Sequence, residues 1–122
     1  MALGIVGGLE PPYYTVVFTS IQTEEAQQGD DYGGVAARMA ELVGGVPGFL
    51  GVDFARTPGG VGITVGYFRD EEAIAAWRRD LEHQDAQRRG REHWYERYSV
   101  HVAKVERAYG FDRGSQEIHR NP

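Results

Sequence analysis

The chain contains no cysteine. That removes disulfides, thiolate metal sites and thiol nucleophiles at once, and it suits a reducing compartment, so a cytoplasmic location is expected. A basic surplus is missing too. The formal net charge is −5, against the positive footprint that a nucleic-acid binder usually presents. No apolar run is long enough to cross a bilayer. The opening segment 1–8 is apolar but short, and it lacks the charged start of a secretory signal. No Ser/His/Asp set shows a recognisable spacing, since Ser20, Ser99 and Ser115 lack the elbow context of a hydrolase. The glycines at 59, 60 and 62 fall inside a hairpin and not between a strand and a helix, so they do not form a phosphate cradle. Neither nucleic acid nor a membrane is therefore expected as a partner.

What is present reads as one domain, for which 122 residues suffice to bury a core. The expected organisation is a loose leader over 1–12, the domain over 13–111 and a flexible tail over 112–122. Residues 13–21 are dense in β-branched and aromatic side chains and predict a strand. Gly29, Asp30 and Asp31 offer a helix start. Val35, Met39, Leu42, Val43 and Val46 then recur at helical spacing before Gly44, Gly45, Pro47 and Gly48 stop the helix. Residues 49–56 and 61–68 predict an antiparallel hairpin turning through Thr57, Pro58, Gly59 and Gly60. In its second strand Val61, Ile63, Val65 and Tyr67 point one way and Gly62, Thr64 and Gly66 the other. Small residues on one strand face indicate that something packs close there, either backbone or ligand.

Asp70, Glu71 and Glu72 open a second helix, and residues 76–95 hold both tryptophans, two of the four histidines and five arginines. Ile74, Trp77 and Leu81 form its first apolar stripe. Beyond Leu81 the stripe moves to His83, Gln87, Gly90 and Trp94, roughly 120° around a straight helix. A kink near Glu82 would turn both stripes toward the sheet. Residues 98–107 predict a last strand. The order β-α-β-β-α-β is the ferredoxin-like, split βαβ arrangement of an α+β fold, an antiparallel sheet with both helices on one face. Apolar residues at both parities of the first strand call for cover on the other face, which a homodimer packed sheet to sheet would supply.

Within this frame His83 has two readings: a neutral imidazole serving as general base or iron ligand, or a polar residue at a helix kink bonded to a backbone carbonyl. Asp80 is the nearest group that could orient its ring. Tyr67, Phe68, Trp77, Trp94 and Tyr95 can line a pocket for a flat substrate, although aromatics at helical spacing commonly form plain core. Arg78, Arg79, Arg88, Arg89 and Arg91 read as a solvated face balanced by Asp80, Glu82, Asp85 and Glu92, with Arg91 as the alternative receptor of a substrate carboxylate. His83 and His93 do not share a helix face, and no metal site is expected.

Residues 47–51, 62–68, 71–77 and 83–90, followed by Trp94 and Tyr95, resemble the antibiotic biosynthesis monooxygenase family over roughly Tyr13 to Phe111. The resemblance implies a dimeric α+β barrel with a cavity in each subunit between the sheet and the helices. It further implies oxidation of an aromatic, quinol-like or porphyrin substrate by molecular oxygen, with no cofactor or with haem. The haem-degrading branch of that family uses a strand Asn, a Trp at the end of the third strand and a helix His. Phe68 stands at the Trp position and Gln87 at the His position, with His83 one turn earlier, while Phe18, Thr19 and Ser20 offer no Asn. The site the resemblance implies is therefore His83 as the catalytic base, with Tyr67, Phe68, Trp77, Gln87, Arg91, Trp94 and Tyr95 around a small aromatic molecule. The alternative is a non-catalytic ligand-binding or sensor domain that keeps the pocket. A purely structural dimer would instead fill the pocket with its own side chains.

Overall fold

The computed structural model describes residues 5–29, 31–114 and 118–119, with backbone alone at Gln28, Asp31, Leu81, Ile118 and His119. The Asp30–Asp31 cap, the Leu81 side chain, residues 1–4 of the leader and most of the tail lie outside the described residues.

Strand β1 runs Tyr13–Gln22, followed by a short helix α1, Glu24–Gln28, and by α2, Asp31–Gly44. The hairpin strands β2, Phe49–Arg56, and β3, Val61–Phe68, have the limits read from the sequence. Helix α1 is an addition to that reading: Thr23 caps it, its hydroxyl oxygen accepting from the Ala26 amide at 3.1 Å.

The second helical stretch is broken in three. Helix α3, Glu71–Arg79, ends at Asp80, which has extended φ and ψ, and α4 continues over Leu81–Arg89. The expected kink is present, two residues earlier than read. Asp80 caps both helices, closing α3 and opening α4, its carboxylate accepting from the His83 amide at 2.9 Å. The orphan carbonyls at the end of α3 are met by the first turn of α4: Trp77 O accepts from the His83 ring and Arg78 O from Gln84 Nε2. A single π-helical turn, Gly90–Trp94, then delivers the chain into β4, Tyr95–Val105. The Tyr95 ring crosses Gly90 so closely that any side chain there would collide with it. Two-residue strands β5, Gly110–Phe111, and β6, Ile118–His119, pair antiparallel.

The four main strands form an antiparallel sheet in the order β2-β3-β1-β4, the ferredoxin-like arrangement. One chain leaves this sheet open, with β2 and β4 at its edges. Cross-strand partners share a face, so Val52, Gly66, Val16 and Val102 form one row on the inner side, and Phe54, Thr64, Phe18 and Val100 the next. Phe68, Ala73, Ala86 and Trp94 are buried on the helix side of the sheet, as are Ala26 and Ser20, while Tyr13 is buried at the outer parity of β1 against Tyr67. On the outer side Ile21, Val61 and Ile63 are exposed, and the Val6 amide donates to Asp53 Oδ1 at 2.8 Å. Among the described residues no helix is long and apolar enough to cross a membrane.

Candidate functional site

A cavity of about 630 Å³ lies between the inner face of the sheet and the helices. Its floor is the two rows just described, with Tyr98, and one wall is α2 through Tyr32, Val35, Met39, Ala40 and Val43. The facing wall is Ile74, Trp77, His83, Ala86, Gln87 and Trp94. Size and lining suit a flat, mainly apolar molecule. The small face of β3 proves to be used in both ways that small residues allow: Thr64 and Gly66 open onto the cavity, whereas the place of a Gly62 side chain is taken by the Arg56 guanidinium.

His83 lies on the cavity and shows the plainer of its two readings. Its Nδ1–H donates to the Trp77 carbonyl at 2.9 Å, the plainer role, and its ring stacks on the Trp77 indole at 3.9 Å with planes 13° apart. Because a carbonyl only accepts, the neutral ring carries its proton on Nδ1 and keeps a lone pair on Nε2. Burial holds its pKa below the ordinary histidine value despite the Trp77 carbonyl bond and nearby Asp80. Asp80, the nearest group that could orient the ring, instead accepts from the His83 backbone amide. The result is an imidazole on the cavity wall that is neutral, fixed in tautomer and held by backbone.

Of the sequence-derived site residues, His83, Phe68, Trp77, Gln87, Trp94 and Tyr95 are brought together on the cavity. Trp94 is also part of the buried core at 7% exposure. Tyr67 and Arg91 are not there. Strand alternation puts Tyr67 on the outer face, where its hydroxyl donates to Asp53 Oδ2 at 2.8 Å and its pKa is pushed up to about 12 by burial and by that bond. Arg91 is exposed in the π turn and does not reach the cavity. The other arginines are mostly the solvated face expected, with Arg88 and Arg89 on Asp85 and Arg88 on Glu92. Only Arg78 reaches the cavity edge.

Tyr32 was not read as a site residue, yet it is central. The Tyr95 hydroxyl donates to the Tyr32 hydroxyl at 3.2 Å, and the Tyr32 ring meets both Trp94 and Tyr95 edge to face. Burial, with the Tyr32 bond, raises the Tyr95 phenol well above its ordinary range. The signal was present, since Tyr32 stands three residues before Val35 and extends the apolar face of α2 by one turn. On its far side the Tyr32–Trp94 pair borders a smaller cavity of about 290 Å³, whose rim holds Glu25, Arg89 and His93. Met39, expected in the core, is half-buried on the cavity. No group of three His, Cys, Asp or Glu side chains that could hold a metal occurs among the described residues. The one imidazole on the cavity is His83, whose Nε2 is the nitrogen there able to bind iron.

Residues 14–89 match the family model for antibiotic biosynthesis monooxygenase. The chain is 45% identical over 108 residues to the uncharacterized protein YqjZ of Bacillus subtilis, covering 88% of this chain and 92% of that one. Among solved structures, a conserved protein from Methanosarcina mazei superposes with a TM-score of 0.68 at 11% identity, over 78% of this chain and 94% of that one. SnoaB, a cofactor-independent oxygenase from Streptomyces nogalater, superposes with a TM-score of 0.66 at 14% identity, over 80% of this chain and 97% of that one. At such identities the likeness is one of fold.

Proposed function

The chain belongs to the antibiotic biosynthesis monooxygenase family, and from that premise we propose that it oxidises a flat aromatic or quinol-like molecule with molecular oxygen in the cavity over the sheet. The observation that carries this reading is the His83 ring, fixed as the Nδ1–H tautomer on an apolar cavity with its Nε2 lone pair unspent. In the cofactor-free reaction Nε2 takes the acidic proton of the substrate, and the resulting anion supplies the electrons to dioxygen. One oxygen atom stays on the substrate as a new carbonyl in place of two hydrogens, and the other leaves as water. Trp77, Phe68, Trp94 and Tyr95 hold the rings, and the apolar walls keep bulk water from the anion.

Haem is less well served. His83 is the one nitrogen ligand offered, Phe68 and Gln87 replace the haem branch's Trp and His, and no strand Asn is present. The protein is further read as a cytoplasmic homodimer, supported by the lack of cysteine and by the exposed Ile21, Val61 and Ile63 of the outer sheet face, which a second copy would cover. A non-catalytic binder is the second reading, favoured by the structural duty of the His83 ring at the end of α3.

Oxygen uptake with 1,4-dihydroxynaphthalene or anthrone tests the reaction. Saturable uptake above the buffer rate is expected; tight binding of both compounds without uptake would establish the binder instead. A haemin titration followed by ascorbate in air is expected to give no one-per-subunit Soret shift. A shift with decay would move the chemistry to haem.

A further inference from the structure

Arg91, the alternative receptor of a carboxylate, does not reach the cavity, but a second arginine lies close to its floor. Arg56 belongs to the inner-face row Arg56, Gly62, Ser20 and Tyr98, one row along from the cavity floor of Phe54, Thr64, Phe18 and Val100. Two residues along a strand span roughly 7 Å, within reach of an arginine side chain. Tyr98 of the same row lines the cavity, as does Tyr95, whose ring packs on Phe18 and Tyr98. The guanidinium lies across Gly62, in the space a side chain there would need. Its Nη2 donates to Ser20 Oγ at 2.7 Å and its Nη1 to the Gly60 carbonyl at 3.3 Å.

Two features of this group are unexplained by the fold. Among the described residues no carboxylate pairs with Arg56, although every ion pair recorded for the other arginines is on the surface. Its Nε is buried without a partner, a condition that is costly when it persists. Ser20 is 2% exposed and, having accepted from Arg56, still has its own hydroxyl proton to give. Nearby, the Arg56 charge acts on the Tyr95 phenol against the upward push of burial. A cation and a hydroxyl donor thus stand together one row beyond the cavity floor, beside Tyr98 and Tyr95, which line the cavity where Arg56 and Ser20 do not.

We propose that the cavity's ligand is an aromatic acid whose carboxylate reaches past the floor at Tyr98 to the Arg56 guanidinium and the Ser20 hydroxyl in the next row. This deepens the reading of the cavity as an aromatic site and rests on it. Anchoring one end fixes the rings along the floor toward His83. Arg78 at the exposed cavity edge is the rival receptor, and an exposed charge in water binds an anion weakly.

The test compares two probes with the same rings, 2-naphthoate and 2-naphthylmethanol, by calorimetry on the full chain. Wild type is expected to prefer the naphthoate by about tenfold, the effect of one charge-assisted hydrogen bond. Arg56→Gln is expected to erase that preference with little change for the alcohol, while Arg78→Gln retains it. Should Arg56→Gln not fold, Arg56→Lys keeps the charge without the fork and is expected to lose several-fold of the preference. Equal binding of the two probes by wild type overturns the inference and leaves the aromatic cavity standing. A preference that survives at Arg56 and disappears in Arg78→Gln overturns it in favour of the rim. Binding of neither probe removes the cavity reading and the inference with it.

Discussion

Along the α3–α4 arm Ala73, Ala86, Gly90 and Trp94 are buried, and Phe68 at the end of β3 is 2% exposed. Along α2 the opposite holds: Ala36, Ala37 and Ala40 remain exposed, and across the cavity Phe54 is 62% exposed, with Val52, Val100 and Val102 also open. The difference lies in backbone and side-chain volume. The first arm bends twice, at Asp80 and in the π turn, and carries both tryptophans, so it follows the twisted sheet and fills the space beneath it. Helix α2 is one unbroken helix whose cavity side mixes Ala36, Ala37 and Ala40 with Tyr32, Val35, Met39 and Val43, and it leaves the cavity open beneath it. Native interiors rarely tolerate such voids, and the apolar surface left open forfeits about 25 cal/mol per Å² that a ligand would recover. One arm fills its side of the sheet and the other leaves a cavity.

The sharpest way to break that contrast is to truncate one phenylalanine on each side. Phe68→Ala is expected to cost about 3–5 kcal/mol in urea unfolding, and Phe54→Ala less than about 1 kcal/mol; equal losses would mean that the cavity is packed core in solution. Next in size is Asp80→Ala, which removes the cap of α4 and should cost about 1 kcal/mol, with the Trp77–His83 stack loosened as seen by tryptophan fluorescence.

A smaller effect is pH-dependent. The folded-state pKa of His83 lies below its unfolded value, so near pH 7 and above both states are neutral and the contribution is intact. As pH falls through about 6.5 the unfolded chain takes up the proton first. Stability is then lost until the folded pKa is passed. His83→Gln should therefore lose less stability than wild type between pH 7 and 5, as measured by denaturant titration at each pH. Least affected is Arg38→Gln, which removes the half-exposed pairing of α2 with Glu82 on α4. It is expected to cost no more than about 0.5 kcal/mol, and a larger loss would show α2 to be clamped and not simply spanning.

The strands, the hairpin and the order of elements were legible because alternation, turn residues and caps are local signals. Asp80 shows the limit: the change of stripe at Leu81 announced a kink, but which residue would leave the helix depended on a side-chain cap seen only in three dimensions. Among the site residues His83, Gln87 and Trp94 were legible because helical spacing put them on one face. Tyr67 falls outside the cavity because the face it shares with Val65 is the outer one, and alternation alone does not say which face of β3 the helices cover. Arg56 gave no signal, since its role depends on lying across Gly62, a pairing that strand register alone creates.

The most direct test of the account is the pH profile of kcat/KM for oxygen uptake with 1,4-dihydroxynaphthalene, in wild type and in His83→Gln. The account predicts a rate that holds down to an acid limb below pH 6.5, where the buried imidazole is finally protonated, and a fall of about a hundredfold in the variant, the contribution of one general base. A variant with the wild-type rate and the same acid limb would contradict it.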